Sequence, residues 1–278
     1  MKLQYLGTAA AEGIPAVFCD CCVCRESRKR GGKNIRTRSQ ALVDDCLLID
    51  FPADTYMHYL ANNFNLADIR SCLITHSHSD HLYPTEFVMR KEGGFSHRKT
   101  KEPLVFYSGK NSYDMICDVI KKNNINENDI RGKYIRPYEC FQVEQYMVTA
   151  LDASHDSKSD PYVYIIEKDG KRILYAHDTS DYPTASWDYL TKYNAVFDLV
   201  SLDCTAADKK IEYVGHMNLE RCIAMRKKLC EIGVACKNTK FILNHFSHNG
   251  GNVLYEEFCK IAEKENFIVS YDGLTVEV

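Results

Sequence analysis

"LITHSHSDHLYP", residues 73–84, sets a short apolar strand against a cluster of polar side chains and decides the reading of the whole chain. His76, His78, Asp80 and His81 crowd into the six positions after the apolar run "SCLIT". On extended backbone, side chains at i and i+2 share a face, so His76 and His78 project together while Asp80 and His81 turn onward. Neutral imidazole and carboxylate suit zinc, iron or manganese, and two ligand sets that leave positions open can hold a pair of metals. A polar loop that is His-rich by accident is the bland alternative, and the length of the HxHxDH pattern weighs strongly against it.

Outward from this stretch, further donors stand directly after apolar strands. His155 follows "YMVTALDAS", Asp178 follows "RILYAH" and His245 follows "KFILN". Taken singly, a histidine at a strand end is more often structural or exposed. Other strand-like runs are "KLQYLG" (2–7), a hairpin "QALVDDCLLIDF" (40–51) turning on Asp44-Asp45, "PLVFYS" (103–108) and "LVSLDC" (199–204). "YVYIIEKDGKRILYAHD" (162–178) reads as a hairpin through Asp169-Gly170. Helical patterns cover 55–64, 112–123, 186–193, 218–233 and 254–265. This alternation predicts a layered α/β sandwich, and strands and helices continue to the C-terminus, so a single domain over 1–278 is expected.

Bulk properties narrow the class. Hydrophobic residues at 45% and charged residues at 26% are ordinary for a folded globular chain. A net charge of -3 gives no polybasic field, which argues against a dedicated duplex-DNA binder. No apolar run is long enough to span a bilayer, and Glu12, Gly13 and Pro15 interrupt what would be a signal-peptide core, so a cytoplasmic protein is expected. Two basic stretches, 26–34 and 90–102, read as solvated surface loops. The 13 cysteines are odd in number, and nine of them are scattered through apolar segments, which is unlike a secreted disulfide framework. "FCDCCVCRES" (18–27) differs by its density. Cys19, Cys21 and Cys24 form a CxCxxC triplet that supplies three corners of a tetrahedral zinc, Cys22 is left over, and a redox CxxC pair (Cys21–Cys24 or Cys19–Cys22) is the competing reading.

The ordered set HxHxDH, His155, Asp178, His245 resembles the metallo-β-lactamase-fold hydrolases along nearly the whole chain. That resemblance implies an αββα sandwich, one metal on His76, His78 and His155, another on Asp80, His81 and His245, and Asp178 bridging them. "LGTAAAEGIPAVFCDCCVC" (6–24) further resembles the N-terminus of the PhnP-type phosphodiesterases, which hydrolyse cyclic phosphates in phosphonate breakdown. In that subgroup a CxCxxC triplet and a C-terminal histidine bind a structural zinc. Here "NHFSH" (244–248) offers His245 to the catalytic metals and His248 to a zinc with Cys19, Cys21 and Cys24. His216, in "YVGHMNLE", matches the subgroup's general-acid position; His58 and His97 fall outside the pattern, and His177, beside Asp178, receives no catalytic role.

The resemblance thus implies a phosphodiesterase with two active-site divalent metals (manganese, zinc or iron) and one structural zinc. Its substrate would be a small cyclic phosphate or nucleotide-like diester, attacked by a water that the metals acidify, with Asp80 and His216 in the catalytic machinery and a homodimer as a possible assembly. Arg36, Arg38 and Ser39 are candidate phosphate contacts. The alternatives are a transfer-RNA 3′-processing endonuclease, a lactonase or thioesterase on the same fold, and a metal- or redox-sensing protein without hydrolysis.

Overall fold

The structure, a computed structural model, describes residues 1–278. Strand β1 (Lys2–Gly7) opens the chain and helix α1 (Cys22–Arg30) follows the cysteine-rich loop. The hairpin β2 (Gln40–Val43) and β3 (Leu47–Ile49) turns through Asp44 and Asp45, both left-handed at φ 47° and 61°. Then come α2 (Thr55–Ala61), β4 (Ser71–Leu73), β5 (Leu104–Ser108), α3 (Lys110–Lys122) and β6 (Ile130–Tyr134). The second half brings β7 (Cys140–Val143), β8 (Tyr146–Asp152), β9 (Tyr162–Lys168), β10 (Lys171–Ala176), α4 (Thr184–Lys192) and β11 (Leu199–Asp203). Helix α5 (Leu219–Glu231), β12 (Lys240–Asn244), α6 (Tyr255–Ala262), β13 (Ile268–Val269) and β14 (Thr275–Glu277) complete it.

Two mixed seven-stranded sheets form, in the orders β14-β1-β2-β3-β4-β5-β6 and β13-β12-β11-β10-β9-β8-β7. Period-two alternation assigns each strand two faces. Ile173 and Tyr175 of β10 pack inward against Leu3, Tyr5, Ala41 and Leu73 of the first sheet. Leu174 and Ala176, one residue out of phase, pack outward under Leu190 of α4, Leu229 of α5 and Phe258 of α6. The outer face of the first sheet buries Leu42, Cys72 and Phe106 beneath Ile116 of α3. The result is the αββα sandwich expected from sequence.

Strand direction decides where the polar loops meet. In the first sheet β3 and β4 run parallel, and β1 reaches the same sense through two antiparallel steps by way of β2. In the second, β10, β11 and β12 run parallel, and β8 joins their sense through β9. The carboxyl ends of all these strands therefore open on one edge of each sheet. Backbone contacts tie the two edges together: Tyr162 N–H donates to Thr75 O at 2.8 Å, and Ala10 N–H donates to Phe246 O at 2.9 Å.

Several expectations are corrected. The basic stretch 26–34 is not wholly loop: residues 22–30 are α1, whose cations pair on its surface, Arg28 with Asp20 at 2.6 Å and Arg30 with Glu257 at 2.7 Å. In the other stretch Arg98 is buried and paired with Asp129. Strands β6, β7, β13 and β14 lie at or next to sheet edges, and β6 and β7, exposed along much of their length, lack the apolar alternation that marks the inner strands. Arg36 and Ser39 are buried; the Arg36 guanidinium donates to Thr8 Oγ1 and Ser270 O and lies over Phe246, while Arg38 pairs with Asp54. These three residues are enclosed or already paired, so they are not free phosphate contacts. No helix is long and apolar enough to cross a membrane.

At Gly7, a Cβ would sit 2.0 Å from Arg38 O and 2.8 Å from His58 Nε2, so only glycine permits this approach. His58 is itself enclosed, with Nδ1 2.6 Å from Gln40 Oε1 and Nε2 2.7 Å from Thr37 Oγ1. Burial lowers its pKa from 6.5 to about 4. The unfolded chain therefore binds an extra proton between those values, so stability falls as pH drops from about 6.5 to 4 and this contribution is flat below. Replacing it by His58→Gln should make the decline of unfolding free energy over that window shallower, by on the order of 3 kcal/mol. Denaturant titrations at matched pH check this, and an unchanged slope refutes it.

Candidate metal centre

Three strands hand over to the site through left-handed residues: Asp50 (φ 66°) after β3, Asp178 (φ 51°) after β10 and His245 (φ 65°) after β12. Such backbone costs about 1–3 kcal/mol at a non-glycine residue and persists only where its surroundings hold it. Thr75 does so for Asp50, donating N–H and Oγ1–H to Oδ1 at 2.7 and 2.9 Å. Asp178 N–H donates to Asp203 Oδ2 at 3.1 Å, and His245 Nδ1 meets Thr205 Oγ1 at 2.9 Å. Each turn aims its side chain into the cleft between the sheet edges.

Two groups of donors converge there. His78 Nδ1 lies 3.0 Å from His76 Nε2 and 3.2 Å from His155 Nε2. His81 Nε2 lies 3.3 Å from both His245 Nε2 and Asp80 Oδ2. Asp178 reaches both groups, with Oδ2 3.0 Å from His81 Nε2 and 3.1 Å from His245 Nε2, and Oδ1 3.7 Å from His155 Nε2. Asp178 Oδ2 is buried without a hydrogen-bond partner. The opposite ring nitrogens are spoken for: His81 Nδ1 by Asp50 at 2.6 Å, His155 Nδ1 by the Gly215 carbonyl at 3.1 Å. Imidazoles oriented through one nitrogen, with the other aimed at a shared point beside an orphaned carboxylate oxygen, are the arrangement a cation satisfies. Burial also lowers the pKa of His76 and His155, keeping them neutral as ligands must be.

His216 adjoins both groups: its ring centroid is 4.9 Å from that of His155, its Nδ1 is 3.9 Å from Asp178 Oδ1, and with Asp178, Asp203 and His245 it forms a further set of donors within 4.8 Å of one another. Its Nδ1 is 2.9 Å from Asp203 Oδ2. Burial pulls the His216 pKa down, but the Asp203 carboxylate outweighs it and raises the value to about 9.

Residues 48–246 match the beta-lactamase superfamily domain. The chain belongs to this superfamily. Zinc-bound PqqB from Methylobacterium extorquens superimposes at a TM-score of 0.77, with 20% identity and 100% of both chains covered. A diphosphatase of the PhnP family superimposes at 0.74 with 20% identity, covering 100% of this chain and 97% of that one. Human tRNase Z, short form, superimposes at 0.67 with 16% identity, covering 100% and 99%. These likenesses show the metallo-β-lactamase fold. An octanoyltransferase from Porphyromonas gingivalis is 25% identical over 285 residues, 99% of this chain and 51% of that protein. The chain spans about half the length of this curated relative.

A second donor cluster of this superfamily member lies along the same edge. Cys19, Cys21, Cys24 and His248 place one donor atom each within 4.8 Å of one another. The loop after β1 meets the loop after β12, with Cys19 Sγ 3.6 Å and Cys21 Sγ 3.5 Å from His248 Nδ1. Cys21 caps α1, and the Cys24 N–H that its sulfur accepts leads the effects lowering its pKa to about 6. Cys22 is exposed and outside the cluster. His58 and His97 also lie outside both clusters, one buried and the other exposed.

Sequence reasoning missed Asp50 and Asp203. Both close apolar strand runs, "LLID" and "LVSLD", the same signal that marked the other donors. His177 is buried, with Nε2 2.7 Å from Ser201 Oγ and Nδ1 3.3 Å from Asn244, so it links the residues that precede Asp178 and His245.

Asp203→Asn should remove the charge that holds His216 protonated while leaving it buried. The His216 pKa in metal-free protein should fall from about 9 to at or below the ordinary 6.5. Titration of the imidazole by NMR checks this, and a pKa that stays near 9 rejects Asp203 as the cause.

Proposed function

We propose that the protein is a dinuclear metal-dependent phosphodiesterase acting on a small cyclic phosphate or nucleotide-like diester. The observation that carries this reading is a histidine–carboxylate dyad, His216–Asp203, set beside two converging donor groups. His76, His78 and His155 would hold one divalent metal, Asp80, His81 and His245 the other, and Asp178 both. Bound zinc, manganese or iron supplies an acidified water and positive charge for the phosphoryl oxygens. Zinc has support from the zinc-bound PqqB structure.

The chain's own residues do the rest. Asp50, Thr205 and the Gly215 carbonyl fix three imidazoles so that Nε2 faces inward. Asp203 engages Nδ1 of His216, so that the protonated ring would present Nε2–H to the departing oxygen. This donor also weighs between readings. A thioester hydrolase of the same fold is the competing reading. A thiolate, with a parent pKa of about 8.5, leaves without protonation, whereas an alkoxide needs a proton. A built-in proton donor therefore supports an alkoxide leaving group, such as that of a phosphodiester, over a thiolate. The net charge of -3 weighs against a transfer-RNA substrate. Cys19, Cys21, Cys24 and His248 complete the proposal as a closed structural zinc site.

Metal analysis with turnover of bis-p-nitrophenyl phosphate tests the assignments together. Wild type should carry three metals per chain. Asp80→Ala should lose a catalytic metal and nearly all turnover, whereas Cys21→Ser should lose one zinc and melt roughly 5–10 °C lower, as about 3 kcal/mol gives at this size. Full metal content and unchanged turnover in Asp80→Ala would falsify the catalytic assignment, and an unchanged melting point in Cys21→Ser would remove the structural zinc.

For His216→Ala, the loss should depend on the leaving group: about 10²–10⁴-fold in kcat/KM for a sugar alkoxide and far less for p-nitrophenolate. Equal losses on both substrates exclude proton donation.

A further inference from the structure

The segment 211–216 carries more than His216. Tyr213 is 57% exposed, yet one side of its ring is fixed in place. A Cβ at Gly215 would meet Tyr213 Cε1 at 2.6 Å and Oη at 2.8 Å, so the ring rests directly on the glycine backbone. The ring centroid is 5.7 Å from that of His216, with 43° between planes, and His216 is in turn 4.9 Å from His155. Tyr213, His216 and the donor cluster thus form a row. The loop is tied down, because Arg221 donates to the carbonyls of Ile211, Tyr213 and His216 at 2.9, 2.7 and 2.9 Å. The Gly215 carbonyl engages His155 Nδ1, so the platform is built into the centre.

Val214, next in the chain after Tyr213, lines a recess of about 350 Å³ that Met217, Ala224 and Met225 share with Ser180 and Asp181. Its two cations are committed elsewhere. Arg221 is spent on the three carbonyls, and Lys228 Nζ sits 3.7 Å over the Trp187 ring and 3.5 Å from Asp181. A second phosphate would find no free positive charge here and would face the Asp181 carboxylate, whereas an uncharged group would meet the apolar side chains of Val214, Met217, Ala224 and Met225.

We propose that Tyr213 is the stacking platform of a leaving-group subsite that takes the base of a nucleoside. The proposal rests on the phosphodiesterase reading and names its substrate class: a diester whose departing oxygen belongs to a nucleoside. The oxygen of the attacking water forms the new P–O bond as the bond from phosphorus to the nucleoside O5′ breaks. His216 gives its proton to O5′, and the proton released from the water restores His216 through solvent. The products are a free nucleoside and a phosphomonoester.

Two measurements on metal-loaded protein separate the subsite from the reading beneath it. The first is calorimetric binding of adenosine. Wild type should bind it, Tyr213→Ala roughly 10- to 100-fold more weakly, and Tyr213→Phe within about twofold, since a base–aromatic stack gives losses of this size. The second is hydrolysis of the methyl phosphodiester of adenosine at O5′, against the same diester of 1-O-methylribose, which lacks the base. Wild type should release adenosine and methyl phosphate, and Tyr213→Ala should lose at least tenfold more kcat/KM on the adenosine diester than on the baseless one, mostly through KM. Adenosine that fails to bind, or binds Tyr213→Ala as tightly as wild type, overturns the subsite, as do equal losses on the two diesters. If neither diester is hydrolysed while adenosine binding still depends on Tyr213, the phosphodiesterase reading fails and the subsite stands.

Discussion

The carboxylate of Asp178 is the group around which the site is arranged. It is buried, reaches His81, His245 and His155 at 3.0, 3.1 and 3.7 Å, and leaves Oδ2 without a hydrogen bond. A buried charge in that position costs several kcal/mol unless countered. The surrounding histidines hold the Asp178 pKa well below the usual carboxylate range, against burial, which raises it. A polar cavity filled with donors facing one another is poorly satisfied by protons alone, and is the kind of site a cation would complete.

The next layer holds this unfavourable assembly in place. Asp50 and Asp203 each orient a histidine, and each also fixes backbone: Asp50 accepts from Thr75 N–H, and Asp203 accepts from the N–H groups of Asp178, Thr205 and Met217. Behind them runs a fully buried polar chain from Tyr5 through Ser201 and His177 to Asn244 and Ser270. Its members come from β1, β11, the turn after β10, β12 and the segment after β13, so it locks the elements that deliver Asp178 and His245. Burial drives the His177 pKa down to about 3, so this link is neutral at neutral pH.

The cysteine cluster fits the same edge logic. Because β1 and β12 both end on the edge that carries the donors, the loop bearing Cys19, Cys21 and Cys24 lies beside His248, three residues beyond His245. A tetrahedral ion there would clamp the N-terminal loop to the segment that supplies the centre, coupling fold stability to site geometry without touching the chemistry.

Local pattern made much of this legible. The hairpins at Asp44-Asp45 and Asp169-Gly170, the major helices and the buried strands follow from periodicity and turn residues, which act over a few positions. The donor-after-strand rule placed His76, His78, Asp80, His81, His155, Asp178 and His245 where the structure brings them together. Edge strands β6 and β7 escaped because exposure on both faces erases the alternation, and α1 escaped because its charged surface reads as loop. Only the tertiary structure could show that Asp50 serves His81 and Asp203 serves His216, that Cys22 points away, that Arg36 is buried, and that Tyr213 lies on Gly215 beside the centre. The sequence by itself determined which residues stand at strand ends, since that is local. Which strand ends meet was decided by parallel pairing across two sheets, which joins residues as far apart as Asp50 and His245 on a single edge.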